Sequence, residues 1–118
     1  MMTPFSHQAW LVMGPEMDIG APRAAITLAL CGSWDHSPPC RVPHHVEADR
    51  TGSAVRVRVL FATDAAYEHR VRQQIDTALR DGRVTDRAGI SIYWEFRSSM
   101  AAEVNASEID HARRLSST

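Results

Sequence analysis

The stretch Ala54-Val-Arg-Val-Arg-Val-Leu-Phe-Ala62 constrains this chain more than any other. Val55, Val57, Val59 and Phe61 alternate with Arg56 and Arg58. A period of two is the pattern of a β-strand with one face in a core. The arginine face is expected to reach water, because a guanidinium is costly to bury without partners.

A helix is predicted directly after it, from Asp64 to Arg80. Asp64 is a natural N-cap, since its carboxylate can accept from the free amides of the first turn. Tyr67, Val71, Ile75, Ala78 and Leu79 share one apolar stripe, and Glu68, Arg72 and Asp76 form another side at i, i+4 spacing. Gly82 suits the left-handed position past the helix end. Two further strands are expected, Ala24 to Cys31 and Gly89 to Arg97. The first is apolar on both alternating sets, as a strand covered on both faces would be. The second buries Ile90, Ile92, Trp94 and Phe96. A last helix begins near Asn105, where Asn105 and Glu108 fit a capping box with Val104 and Ile109 as its hydrophobic staple. This helix is expected on the sheet edge or on a partner subunit.

Residues 1–23 read as an irregular N-terminal lead, punctuated by Pro4, Gly14, Pro15, Gly20 and Pro22. Ala9 to Met13 could dock there as a short strand, anchored by Trp10. Residues 24–118 form a single domain, all that 118 residues can support. The class is α+β: a small, mostly antiparallel sheet of three to four strands with two helices packed on one face. A ferredoxin-like arrangement would need another helix and strand, which the first residues supply only in part, so the topology stays open.

Between the first two expected strands lies Gly32 to Ser53, twenty-two residues without convincing periodicity. A loop this long is rare in a compact domain unless something holds it or uses it. It contains His36, Cys40, His44 and His45, follows directly on Cys31, and is stiffened by Pro38, Pro39 and Pro43. The spacing C-x4-H-x3-C-x3-H, from Cys31, His36, Cys40 and either His44 or His45, supplies two thiolates and two imidazoles. That set suits tetrahedral zinc, whose binding would offset the ordering cost of the loop. The paired C-x2-C knuckles of a zinc finger are absent. The competing structural reading makes Cys31 a buried strand residue, the histidines partners of backbone carbonyls, and Trp34 a plug of the core.

Three catalytic readings use the same segment. Cys40 could be a nucleophile whose thiol pKa is lowered by Arg41, with a nearby histidine as base. His45-Val-Glu47 and Pro39-Cys40 resemble parts of the zinc deaminase signature, but in reversed order and without the last cysteine, so that reading fails. His45 and Glu47, with distant His69 or His111, could make a two-histidine, one-carboxylate face for iron.

The leading expectation is a cytoplasmic metal-binding accessory or interaction domain with a structural zinc site. The first alternative is a small metal-dependent enzyme in which one coordination position stays open and Glu47, Asp35 or Asp49 is the general base. The second is a metal-free homodimer with Trp10, Trp34 and the last helix at its interface. Homodimerisation, or another protein partner, would also cover an exposed sheet edge.

Charge limits the other classes. Thirteen basic residues, all arginine, against fourteen acidic ones give a formal charge of −1. That balance argues against binding nucleic acid or anionic membrane by charge alone. Arg56, Arg58, Arg70 and Arg72, with Tyr93, read better as a salt-paired face than as a nucleic-acid patch. No run approaches the roughly 18 apolar residues of a membrane span, and no secretory signal is evident. A cytoplasmic protein with reduced Cys31 and Cys40 is therefore expected. In an oxidising compartment, a disulfide closing a small loop would be the leading reading of the pair.

Overall fold

The computed structural model describes residues 2–32 and 42–117. The chain runs through β1 (Thr3–Val12), α1 (Ala21–Cys31), β2 (His44–Thr51), β3 (Ala54–Thr63), α2 (Glu68–Asp81), β4 (Arg83–Thr85), β5 (Ser91–Tyr93), β6 (Glu95–Ala102) and α3 (Ile109–Ser116). The main sheet is four-stranded in the order β2-β3-β1-β6, and β4 with β5 forms a separate ribbon. All these pairings are antiparallel. Setting the ribbon aside, the βαββαβ order with β1 and β3 central is the ferredoxin-like arrangement. The expected α+β class is the one found.

The helix and strand that this topology needs lie where the sequence was read otherwise. Residues 3–12 are not an irregular lead but a central strand. Phe5, His7, Ala9 and Leu11 face the helices, and Ser6, Gln8 and Trp10 face the other way. Pro4 is tolerated because β6 pairs only from Ser6 onward, so the missing amide falls outside that ladder. Ala24 to Cys31 is helix, not strand. Pro22 starts it and Gly32, at φ 75°, ends it, with the Gly32 amide donating to the Leu28 carbonyl. A short run that is apolar throughout has no periodicity to decide between the two.

β2 occupies the latter part of what reads as a loop. His44, Val46 and Ala48 point toward the helices, while His45, Glu47 and Asp49 point to the opposite face. Gly52 and Ser53 then turn the chain into β3. Here Val55, Val57, Val59 and Phe61 are fully buried beneath α1 and α2, as their spacing predicts. In α2 the stripe Val71, Ile75 and Leu79 is buried, and Asp64 accepts from the Ala66 amide ahead of it.

The strand expected over Gly89 to Arg97 is broken at Trp94. The Trp94 indole donates to the Leu79 carbonyl at 2.8 Å, and its amide donates to the Gly82 carbonyl at 3.0 Å. These bonds add to the capping of α2, whose Leu79 carbonyl also accepts from the Gly82 amide. They also divert the chain from the small ribbon to the main sheet. Ile90, expected in the core, is 61% exposed in the ribbon turn.

α3 is entered through the expected capping box of Asn105 and Glu108. It lies neither on the sheet edge nor beyond it, but across β1 and β3 on the face away from α1 and α2. Leu60, Ala62 and Ala112 are buried on this side. Arg58 is largely covered here, its side chain 11% exposed, contrary to the expectation that it meets water. Its guanidinium reaches Glu108, the Ser6 hydroxyl, the Gln8 side chain and the Glu103 carbonyl. Enough acceptors converge to replace its hydration.

Candidate functional site

A cleft of about 570 Å3 opens where the C-terminal end of α1 meets the start of α2. Its apolar wall is Ala29, Leu30, Val42 and Val71, and its polar rim is Thr63, Tyr67, Arg70 and Gln74, with Cys31 and Gly32 beside them. Both borders of the Cys/His segment, Gly32 and Val42, belong to this wall. A second, more open groove of about 690 Å3 continues along α1 and α2 past Gln73, Thr77 and Asp81, sharing Ala29, Arg70 and Gln74.

Local structure explains the polar rim. The 3-10 turn Ala65–Tyr67 leaves Tyr67 52% exposed rather than buried in the α2 stripe. One turn into α2, the Arg70 guanidinium lies 5.6 Å from the Tyr67 ring centroid. A cation over an aromatic face is restrained without being neutralised. Arg70 meets no carboxylate among the described residues, whereas Arg56, Arg58 and Arg72 pair with Asp49, Glu108 and Glu68.

The residues of the metal reading separate between the two faces of the sheet. Cys31 and His44 meet on the helix side, with Sγ 3.9 Å from Nδ1. His44 is buried, its Nδ1 donates to the Val42 carbonyl at 2.9 Å, and its Nε2 stands 3.2 Å from the Thr27 hydroxyl. Cys31 is held in a disulfide. His45 projects from the opposite face, because neighbouring residues of a strand point apart. It therefore cannot substitute for His44 beside Cys31. Glu47 and Asp49 share the face of His45, so neither can act as a base next to Cys31 and His44. His36 and Cys40, with Trp34, Asp35 and Arg41, lie outside the described residues. Among the described residues, no group of three or more His, Cys, Asp or Glu side chains is arranged to hold a metal ion.

The face away from the cleft brings together a set that the iron reading named. His45 and His111 meet with ring centroids 4.4 Å apart, and His45 Nε2 lies 3.5 Å from a Glu47 oxygen. His69 is exposed on α2 and takes no part. Burial, then the charges of His45 and Arg114, hold His111 below the usual histidine range, against the pull of Glu47 and Glu108. Glu108 lies below the usual carboxylate range. Its burial acts the other way, but the hydrogen bonds from Arg58 and from the Asn105 amide outweigh it.

A third polar cluster was invisible in the sequence. His7, 3% exposed on β1, places Nε2 2.7 Å from Asp76 Oδ1, and its Nδ1 accepts from Arg72 at 3.1 Å. With the Nδ1 lone pair taken by a guanidinium, the ring proton lies on Nε2 and is donated to Asp76. Arg72 also contacts the Ser6 carbonyl and Glu68, and it stacks on Phe5 and Phe61. Both ring nitrogens of His7 are engaged within the cluster, which joins α2 to β1.

No described helix is long and apolar enough to cross a membrane. Comparison with known proteins finds no matching family model, no matching curated protein and no matching solved structure.

Proposed function

We infer that the protein is a small ligand-binding domain that takes a compact organic carboxylate into the cleft between α1 and α2. The observation that carries this reading is Arg70. It is a cation at the rim of an apolar cleft, held over Tyr67 and without a carboxylate among the described residues. Leu30, Val42 and Val71 would cover an apolar body, and Thr63, Tyr67 and Gln74 would orient polar substituents. A volume of about 570 Å3 is in the range of small-molecule sites.

Ligand-observed NMR with matched alkyl and aryl carboxylates and amines tests this. Carboxylates should bind in preference to the matched amines. Arg70→Ala should weaken them about tenfold or more, the loss of one charge-assisted hydrogen bond. Equal binding of acids and amines, or unchanged affinity in Arg70→Ala, overturns the reading.

A second reading keeps the Cys/His segment as a structural zinc site. The separation of 3.9 Å between Cys31 Sγ and His44 Nδ1 favours it, since two ligands of one tetrahedral ion can span that distance. It requires reduction of the disulfide and release of His44 Nδ1 from the Val42 carbonyl, with His36 and Cys40 as the remaining donors. Elemental analysis of reduced protein made without chelator should then find zinc, and Cys40→Ala should lose it. Metal-free wild-type protein excludes this reading.

A further inference from the structure

The two histidines on the far face of the sheet come from elements that are fixed independently. β2 holds His45 through its ladder with β3. α3 holds His111 through the Asn105 and Glu108 capping box and the Glu108–Arg58 pair. The two rings meet with centroids 4.4 Å apart and planes inclined at 47°. His45 is 36% exposed, so the pair opens to solvent. Besides this ring contact, His45 Nε2 lies 3.5 Å from a Glu47 oxygen, and the charges of Arg114 and Glu108 act on His111.

We propose that His45 and His111 form a two-imidazole chelate for a late divalent transition ion: copper, nickel or zinc. One nitrogen of each ring binds, and water completes the coordination. Because no described set of three donors is arranged around an ion, the chelate has two protein ligands. Glu47 adds negative charge beside it. Imidazole donors select these ions, whereas calcium and magnesium call for oxygen donors. The gain over a lone histidine comes from presentation of the second ring at high effective concentration, on the order of a hundredfold in affinity. The site is on the opposite side of the sheet from the cleft and does not depend on what the cleft binds.

The test uses the full chain in chelator-free buffer. Substoichiometric Cu2+ added to 15N-labelled protein should first broaden the amide signals around His45–Glu47 and Ile109–Arg113. Ni2+ titration by calorimetry should show a site that His111→Ala weakens on the order of a hundredfold. His69→Ala, on the other side of the molecule, should leave it unchanged. His45→Asn gives the same reading through the strand partner if the helix variant folds poorly. Broadening centred on other residues overturns the proposal. So does wild-type nickel affinity in both His111→Ala and His45→Asn.

Discussion

Arg58 and Glu108, 50 residues apart in sequence, form an ion pair at 2.8 Å with side-chain exposures of 11% and 13%. It joins the middle of β3 to the entry of α3, and the same Glu108 oxygen caps the Asn105 amide. One carboxylate thus closes both the helix and the sheet face beneath it.

Replacing Glu108 with Gln should cost about 2 kcal/mol in urea unfolding, because Arg58 loses its charged acceptor while remaining covered. The effect should depend on pH. In the folded protein the pKa of Glu108 lies below the ordinary glutamate value of 4.5. Its contribution is therefore fully present above about 4.5 and is lost as pH falls through the folded value. The stability gap between wild type and Glu108→Gln should be full at pH 7 and should close in acid. A gap that persists unchanged at pH 3 contradicts this account of the pair.

Gly82 and Gly52 both sit at positive φ, 67° and 62°. Only at Gly82 would an added Cβ collide, at 2.7 Å from the Trp94 carbonyl oxygen. Gly52→Ala should lose about 1 kcal/mol, the backbone penalty alone. Gly82→Ala should lose clearly more and should disturb the near-UV signal of Trp94, because the helix end and the following strand are joined there. Equal losses in thermal or urea unfolding would mean that the Trp94 backbone gives way freely.

Ile75 is fully buried and Ile90 is 61% exposed. Ile75→Ala should destabilise by about 2–5 kcal/mol, and Ile90→Ala should stay within about 0.5 kcal/mol of wild type. Side by side, the two measurements test the break at Trp94. A single strand from Gly89 to Arg97 would have given both isoleucines comparable cost.

What the sequence discloses follows from how cleanly each segment separates polar from apolar positions. β3 and α2 were legible because their buried faces are wholly apolar, and the entry to α3 because Asn105 and Glu108 carry the capping box in plain view. β1 and β2 were hidden for the opposite reason. His7 and His44 occupy inward positions that pattern reading assigns to apolar residues. They are stable there because Asp76 and Arg72 bond His7 from a distant part of the chain, and because His44 bonds Thr27 on α1 and the nearby Val42 carbonyl. Arg58 misled in the same way. α1 was misread because Ala, Leu and Ile on every side carry no period at all.

The site was less legible than the fold. The cleft draws on α1, the end of β3 and two turns of α2, and no local motif announces such a meeting. For the His45, Glu47 and His111 cluster, the strand half could be read from i, i+2 spacing. The arrival of His111 depended on α3 crossing the far face.

The position of β1 has a consequence for assembly. Its neighbours are Ala54–Thr63 on one side and Glu95–Ala102 on the other. During translation the segment Thr3–Val12 is made before both of its neighbours, and it cannot gain the second until the chain has run on through Ala102. Non-local pairing of this kind slows folding. Until β6 arrives, the nascent chain exposes an unpaired strand edge that carries the indole of Trp10, a surface that favours association between unfinished copies.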